Sequence, residues 1–416
     1  MSAAAHPSRI DAEIEAVWRI ESARIIGSLV RMVRDVDLAE EFAQDALLAA
    51  LSQWPDSGAP RNPGAWLLTV ARNRALDHFR KTKRVESLDA KPHREHGDVD
   101  PLPDFDDDVG DDLLRLMFIA CHPALSCDAR VALTLRLLGG LTTAEIARAY
   151  LTSEATVAQR LVRAKRTLAE AQAPFELPRG EDRAARLPMV LEAIYLIFNE
   201  GYVATAGEDW MRPALCTEAQ RLARILVGLV PSDPEVHGLA ALLDLQASRT
   251  RARTDRDGKP VLLLHQNRAH WDHVLIQRGL ASLAQAARVV DAGPYQLQAE
   301  IAACHARALR AERTDWARIA ELYGKLAEIA ASPVVELNRA VAVGMAFGPQ
   351  AGLDLADALA AEPILRDYHL LPSVRGEFLE QLGRRDEARE AFAKAAALTR
   401  NEREREVLQA RANRNS

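Results

Sequence analysis

The residues Cys121, His122 and Cys127 carry two thiols and an imidazole that could bind a metal ion. Their spacing does not match a standard zinc site. We interpret the two cysteines as thiols buried in a helix, which is a common environment for a free cysteine. No metal site is therefore predicted here.

A second group of possible ligands lies in the segment LLLHQNRAHWDH. It consists of His265, His270, Asp272 and His273. His270 and His273 would lie one helical turn apart and could bind one metal ion together. A structural role, as helix caps and hydrogen-bonded histidines, is the interpretation we favour. We expect neither a metal nor a cofactor.

Signatures of catalysis are absent from the rest of the sequence. It contains no glycine-rich phosphate loop and no nucleophile elbow. The chain is accordingly predicted to have no catalytic residues and not to be an enzyme.

Length and composition indicate an all-α protein with several domains. A chain of 416 residues corresponds to about three domains. Aromatic residues make up only 5%, whereas Ala, Leu, Arg and Glu are abundant, which favours helix over strand. The four cysteines are too few for a disulfide framework, and no apolar stretch is long enough to span a bilayer. With no secretory leader, these features predict a cytoplasmic protein without a membrane partner.

The net charge of −6 hides an uneven distribution of charge. Between Arg61 and Arg84 there are seven basic residues and one acid, whereas residues 85–112 contain eleven acids and two basic residues. Such a pattern is typical of a nucleic-acid surface followed by an acidic spacer. From charge alone, a solvated helix face explains the basic segment equally well.

Residues 10–84 are predicted to form a helical domain. Asp37 is expected to cap a helix that runs to Trp54. The apolar stripe of this helix consists of Leu38, Phe42, Ala46, Leu47 and Ala50. Its opposite face carries Glu40, Glu41, Gln44 and Asp45.

A loop from Pro55 to Pro63 separates this helix from a third one, which begins near Pro63 and runs to about Arg84. The inward side of the third helix is predicted to consist of Leu67, Val70, Ala71, Ala75 and Phe79. Its outer side carries Asn73, Asp77, Arg80 and Arg84. Residues 85–112 have too little apolar content to form a core and are predicted to be a flexible acidic linker.

Residues 113–173 are predicted to end in a helix-turn-helix. Thr142 and Glu145 form the capping-box pattern ahead of the helix AEIARAY, and Ser153 can cap the next helix. The buried stripe of that second helix is Val157, Leu161, Ala164 and Leu168. Its outer side carries Thr156, Gln159, Arg160, Arg163 and Arg166, flanked by Lys165. Such a helix can enter the major groove of DNA, although an ordinary helical hairpin with a hydrated face has the same pattern.

Residues 178–416 show repeated amphipathic helical stretches. Ala388, Phe392 and Ala395 reproduce the core pattern of a tetratricopeptide (TPR) unit. Because about three units are needed for a stable array, the other helices are expected to complete an α-solenoid.

Several segments resemble a known family. LAEEFAQDALLAAL and NPGAWLLTVARNRALDHFRK resemble region two of the extracytoplasmic-function (ECF) sigma factors of RNA polymerase, and LTTAEIARAYLTSEATVAQRLVRAKRTL resembles their region four. YLIFNEGY, GPYQLQAEIAACHA and PVVELNRAVAV resemble the subgroup that carries a TPR-like C-terminal extension. The resemblance covers nearly the whole chain. It implies a subunit that binds core polymerase and directs promoter-specific initiation.

The resemblance also implies roles for individual residues. The acidic face with Glu40, Glu41, Gln44 and Asp45 would dock on the β′ clamp helices, and region four would lie near the β flap. The minus-ten strand would be captured by Asn73, Asp77, Arg80 and Arg84. The minus-thirty-five element would be read by Ser153, Thr156, Gln159, Arg160, Arg163, Lys165 and Arg166. Trp66 could form a wall for an unstacked base, but a role in the core is the interpretation we favour.

Three points remain open in the sequence. Leu151 stands where many helix-turn-helix units have glycine, so the angle of the second helix is not fixed. A free-standing regulator of transcription, or a scaffold that no longer binds DNA, would share the helix-turn-helix. The C-terminal domain could bind a regulatory protein or a ligand, and its effect could be activating or inhibiting.

Overall fold

The structure is a computed structural model. It describes residues 9–89, 109–150, 152–171, 173, 175–202, 211–255, 261–288, 291–399 and 402–414. The chain forms two compact units, residues 1–193 and residues 194–416. Across the described residues the structure is helical and contains no β-strand, as the composition predicts. None of the described helices is long and apolar enough to cross a membrane.

The helices of the first unit include the two predicted DNA-binding segments. They are α1 Arg9–Val33, α2 Val36–Ser57, α3 Pro63–Asp89, α4 Val109–Ala120, α5 Cys127–Leu137, α6 Thr143–Ala149, α7 Glu154–Glu170 and the first part of α8 Gly180–Tyr202. Helices α1, α2 and α3 pack on one another around Leu29, Phe42, Trp54 and Leu67, which are buried.

The start of α2 corrects one sequence prediction. The capping residue is Asp35, whose carboxylate accepts a hydrogen bond from the backbone N–H of Leu38 at 3.0 Å. Asp37, the predicted cap, lies exposed in the first turn instead. Since both are aspartates just ahead of the apolar stripe, local pattern cannot distinguish them. At its other end α2 continues through Pro55 to Ser57 and stops at Gly58 (φ 75°), so the predicted loop is shorter than expected.

Both ends of the predicted acidic linker are helical. Helix α3 extends to Asp89, and α4 begins at Val109. Asp112 is buried in α4, where its carboxylate forms ion pairs with Arg115 and with Arg31 of α1. A Cβ at Gly27 would approach the backbone oxygen of Asp112 to 2.9 Å, so a glycine lets α1 and α4 come together. The linker prediction was wrong at these ends, and residues 90–108 lie outside the described residues.

The second unit consists of the end of α8 and helices that pack on their neighbours in sequence. They are α9 Pro213–Leu229, α10 Pro234–Ala247, α11 His273–Ala286, α12 Pro294–Arg307, α13 Trp316–Ile329, α14 Pro333–Phe347, α15 Pro349–Ala358, α16 Leu370–Gln381, α17 Arg385–Leu398 and α18 Glu402–Arg414. Short 3₁₀ turns occupy Thr250–Ala252, Leu263–His265, Arg268–His270, Ala311–Arg313, Leu359–Ala361 and Pro363–Leu365.

The predicted repeat core is buried as its spacing requires. Ala388, Phe392 and Ala395 of α17 lie in one apolar cluster with Phe378 of α16. A Cβ at Gly376 would come within 2.9 Å of the Phe392 ring, so the small residue makes room for it. The two compact units divide within α8, after Ala193, and the start of the extension at residue 178 stays a prediction.

Candidate nucleic-acid interface

The helix-turn-helix forms as its sequence predicts. The Thr142 hydroxyl accepts from the backbone N–H of Glu145 at 3.1 Å, and the Glu145 carboxylate accepts from the N–H of Thr142 at 2.8 Å. The Ser153 hydroxyl accepts from the N–H of Thr156 at 3.1 Å and caps α7. The stripe predicted to be buried is buried throughout, at Val157, Leu161, Ala164 and Leu168. Leu151 lies outside the described residues.

The outer face of α7 presents polar and basic side chains to solvent. Gln159 and Arg163 are exposed, and so are Ser153, Thr156 and Arg166. Arg160 is half-buried and pairs with Asp128 at 3.1 Å, whereas Arg166 pairs with Glu170 of its own helix at 2.7 Å. Amide and guanidinium groups on one helix face can donate hydrogen bonds to base edges and phosphates. This face has the chemistry that a DNA-reading helix needs.

Lys165 does not share that orientation. Its ammonium lies 2.6 Å from a carboxylate oxygen of Asp37 and 2.8 Å from one of Glu40, both on α2. Burial lowers the pKa of Lys165, but the two carboxylates outweigh burial and hold this pKa above its ordinary value. A residue predicted to flank the DNA-reading face therefore contacts the predicted polymerase-binding helix in this structure.

Glu40 lies at the centre of this contact and is only 6% exposed. Its carboxylate accepts from the Arg136 guanidinium of α5 at 2.5 Å and from the Gln44 amide at 3.0 Å. Burial raises the pKa of Glu40, whereas Arg136 and Lys165 lower it more strongly, so the net pKa lies below the ordinary value. Glu40 is thus charged, buried and held by two cations from the region-four side of the unit.

The other residues of the predicted polymerase-binding face differ in exposure. Glu41 is exposed, while Gln44 and Asp45 are half-buried. A second ion pair closes the same contact, between Arg19 of α1 and Glu145 of the capping box, at 2.8 Å. Sequence reasoning missed Arg136, because its partner is 96 residues away and no local pattern links the two.

A cavity of about 430 Å³ lies beside the Glu40–Arg136 pair. Its walls come from α1, α2 and the turn before α6, and they are mainly apolar, with Trp18, Ile26 and Leu47 among them. The two halves of the first unit therefore meet through ion pairs beside an apolar cleft that is partly open to solvent.

The outer face of α3 is open to solvent. Asn73, Asp77 and Arg80 are exposed, and Arg80 pairs with Asp77 at 3.3 Å. Arg84 belongs to α3, but its side chain lies outside the described residues. Trp66 is half-buried, and its ring packs edge-on against Trp54 with centroids 5.4 Å apart.

Two of the residues considered as metal ligands, Cys121 and Asp272, have structural contacts. Cys121 is buried beside the Thr134 hydroxyl at 3.5 Å, and burial raises the pKa of its thiol to about 11. Asp272 caps α11 by accepting from the N–H groups of Val274 and Leu275. Among the described residues, no cluster of His, Cys, Asp or Glu is arranged to hold a metal ion.

Comparison with known proteins finds three family models that match successive parts of the chain. The sigma-70 region 2 model matches residues 20–85, the sigma-70 region 4 model matches residues 115–168, and a family of unknown function (DUF6596) matches residues 186–287. The chain is 31% identical over 151 residues to the ECF RNA polymerase sigma factor SigK of Mycobacterium ulcerans, covering 35% of this chain and 78% of the relative. SigK of Mycobacterium tuberculosis is 30% identical over 152 residues, which covers 35% of this chain and 78% of that relative.

A further relative extends along nearly the whole chain. An uncharacterized protein of Rhizobium meliloti is 47% identical over 382 residues, which covers 90% of this chain and 89% of the relative. No solved structure matches the chain.

Regions two and four together define a transcription initiation factor of the sigma-70 class. Within that class, the chain belongs to the ECF RNA polymerase sigma factors and carries a C-terminal extension. It directs transcription initiation, binds core RNA polymerase and promoter DNA, and is not an enzyme. Membership in this family argues against the two alternatives, a free-standing regulator of transcription and a scaffold that no longer binds DNA.

Proposed function

We propose that three helix faces divide the work of initiation. The acidic face of α2, with Glu40, Glu41, Gln44 and Asp45, docks on the β′ clamp helices of core polymerase. The outer face of α3, with Asn73, Asp77, Arg80 and Arg84, captures the melted minus-ten strand. The outer face of α7 reads the minus-thirty-five duplex through Ser153, Thr156, Gln159, Arg160, Arg163 and Arg166. Lys165 joins these residues once its contact with α2 is released.

The observation that carries this proposal is the capture of Glu40 by Arg136 and Lys165. A buried carboxylate is costly to desolvate, and here it is held by cations that belong to another part of the unit. A polymerase surface that presents cations can replace both partners without leaving the carboxylate unpaired. We therefore propose that the described arrangement is a closed form of the free protein, which polymerase opens.

A charge-reversal pair tests the docking face. Changing Glu41 and Asp45 to lysine spares the Glu40 contact, since neither residue is paired with Arg136 or Lys165 in the structure. We expect at least a tenfold loss of affinity for core polymerase. The control is Asp56→Lys, an exposed acid near the end of the same helix. If both proteins copurified equally with core polymerase, α2 would not be the docking face.

The division between the two DNA-reading helices is tested on a promoter. Arg163→Ala should weaken closed-complex formation by about 1–3 kcal/mol if its contact is to a base edge. Arg80→Ala should leave the closed complex intact and impair strand opening. Permanganate footprinting distinguishes unpaired thymines from paired ones. Identical closed-complex defects in both variants would contradict separate roles for α3 and α7.

We propose in addition that the C-terminal unit regulates transcription by the sigma unit, either by activating or by inhibiting it. The second unit contains residues 194–416, more than half of the chain, and arrays of paired helices offer long surfaces for partners. Attachment through one chain gives an effective concentration near millimolar. A chain ending after Tyr202, which keeps α8, should transcribe at a rate several-fold different from the full chain while still binding core polymerase. Equal rates for both proteins would contradict regulation.

A further inference from the structure

Three arginines of the second unit meet around two aromatic rings. The Arg249 guanidinium lies between Tyr202 and Trp271, 5.8 Å and 5.9 Å from their ring centroids. Arg253 stacks on Tyr202 at 3.6 Å, and Arg268 lies over Trp271 at 5.0 Å. Three cations therefore share one small aromatic environment.

These arginines are largely withdrawn from water. Arg253 is 7% exposed and Arg268 is 8% exposed, whereas Arg249 is half-buried and remains within reach of solvent. Arg268 donates to the carbonyls of His305 and Ala308 and to the Thr314 hydroxyl. These hydrogen bonds satisfy N–H donors of Arg268, but their neutral acceptors do not neutralise its positive charge.

Within the described part of the chain, neither Arg249 nor Arg268 forms an ion pair with a carboxylate. Arg249 donates instead to the amide oxygen of Gln246. Other arginines of the same unit are neutralised, as Arg278 is by Asp244 at 2.5 Å. Burying a guanidinium without a counter-charge is unfavourable. The cluster thus differs from the pattern of pairing around it.

Three buried polar atoms of the cluster also have no hydrogen-bond partner among the residues that the structure describes. They are Nε of Arg268, Nε1 of Trp271 and Nδ1 of His305. Burial, together with Arg249 and Arg268, lowers the pKa of His305 to about 3, so its ring is neutral near pH 7. Unpartnered buried polar groups are rare in folded proteins and call for an explanation, such as a ligand or an ordered water. Here they lie beside Arg249 and Arg268, two guanidiniums that form no ion pair within the described residues.

The chemistry of the cluster favours a phosphate over a carboxylate. A guanidinium offers a planar fork of donors that matches the oxygens of either group. A phosphate monoester carries close to two negative charges at pH 7 and has three acceptor oxygens, so it offsets several guanidiniums better than one carboxylate does.

Segments that the sigma function does not use build this cluster. Tyr202 ends the segment YLIFNEGY, Arg268 and Trp271 belong to LLLHQNRAHWDH, and His305 belongs to GPYQLQAEIAACHA. We propose that the cluster is a binding site for a phosphate group, either inorganic phosphate or the phosphate of a small molecule, and that Arg249 is the residue that first contacts it. The site gives the extension a chemical input that is separate from DNA and polymerase.

The proposal is tested on the full-length protein with inorganic phosphate as the probe. At constant ionic strength, we expect saturable binding in calorimetry and a rise in the unfolding temperature of several degrees at millimolar phosphate. Arg249→Gln should weaken phosphate binding at least tenfold, whereas Arg288→Gln, which changes an exposed arginine of the same unit, should not. Arg249→Lys keeps the positive charge but loses the planar donor pair of the guanidinium. Its affinity for phosphate should therefore lie between that of the original protein and that of Arg249→Gln.

Parallel titrations with sulfate, acetate, chloride and a sugar phosphate separate the possible ligands. Tighter binding of the sugar phosphate than of inorganic phosphate would identify a small molecule as the natural ligand, and the reverse order would identify the free anion. The proposal is overturned if chloride stabilises the protein as much as phosphate does. It is equally overturned if Arg249→Gln, shown by circular dichroism to be folded, binds phosphate as well as the original protein. Should Arg249→Gln not fold, unchanged affinity of Arg249→Lys would overturn it.

Discussion

The two units solve the same electrostatic problem in opposite ways. In the first unit, one buried carboxylate, Glu40, is held by the cations of Arg136 and Lys165. In the second unit, the guanidiniums of Arg249 and Arg268 form no ion pair with a carboxylate among the described residues. Burial lowers the pKa of Arg268, and the charge of Glu312 opposes this shift from beyond ion-pair distance. A charge that the chain itself neutralises indicates a closed contact between its parts. A charge that the chain leaves uncompensated indicates a ligand.

The two clusters also differ in what can release them. Glu40 is paired with Arg136 of α5 and Lys165 of α7, so separation of region two from region four breaks both ion pairs. Arg268 is bonded to carbonyls within its own unit and cannot lose them without local unfolding. The first cluster is therefore suited to opening, and the second to binding in place.

The largest expected effect is that of Glu40→Gln on stability. The change takes the carboxylate partner from Arg136 and leaves Lys165 paired with Asp37 alone. Breaking a buried pair in this way costs about 3–5 kcal/mol. Urea unfolding of the full chain, followed by a probe in the first unit, measures the loss. Arg249→Gln should cost nothing or stabilise the second unit slightly, because it removes an uncompensated charge. If Glu40→Gln and Arg249→Gln lost the same free energy of unfolding, the Glu40 pair and the arginine cluster would not differ in how their charges are compensated.

A smaller effect is expected from pH, through His305. Its pKa is near 6.5 in the unfolded chain and about 3 in the folded one, so the unfolded state binds the proton between these values. Stability should therefore fall as pH drops, by about 2 kcal/mol between pH 7 and pH 5. Glu40 does not contribute in this window, since its lowered pKa places its loss below 4.5.

Thermal or urea unfolding at pH 7 and pH 5 measures the effect of His305. His305→Phe should flatten this part of the profile, and His273→Gln, at an exposed histidine, should not. A profile that keeps its slope in His305→Phe would show that another group titrates.

The next effect concerns opening of the first unit. Arg136→Gln removes one cation from Glu40 without touching the face of α7 that we propose reads DNA. We expect core polymerase to bind about tenfold more tightly, which corresponds to about 1.4 kcal/mol. Fluorophores placed at Leu48 and Val162, both exposed, should also move apart in the free protein. The control is Arg130→Gln, which also lies on α5 but disrupts a different ion pair, the one with Glu192 of α8. Unchanged affinity and distance would contradict a closed form.

The smallest effect is expected at the rim of the same contact. Arg19 and Glu145 pair at 2.8 Å, but their side chains are 56% and 27% exposed. Exposed pairs contribute about 0–1 kcal/mol, and salt screens them. Arg19→Gln should therefore change stability and polymerase affinity by less than Arg136→Gln does, with the difference lost in high salt. An effect as large as that of Arg136→Gln would show that the Arg19–Glu145 pair, and not the Glu40–Arg136 pair alone, holds the contact together.

The sequence by itself determined the features that depend on near neighbours. Ser153 caps α7, Thr142 and Glu145 form a reciprocal pair, and Phe392 is buried at the spacing of its repeat. Each of these follows from hydrogen bonds or side-chain periodicity within about one helical turn or within one helix face. The same local information predicted two DNA-reading regions, and resemblance predicted the family, which the comparisons confirm.

Tertiary structure alone decided where the charges lie. Glu40 has the spacing of an exposed residue on the polar side of α2, yet it is buried because Arg136 and Lys165 arrive from more distant parts of the chain. Asp112 was assigned to a flexible linker by composition, yet it is buried against Arg31. Arg268 meets the carbonyl of His305 from 37 residues away. Periodicity reports which side of a helix faces inward, but it holds no information about which distant element packs there, and that packing sets the dielectric and the partner of every buried ion.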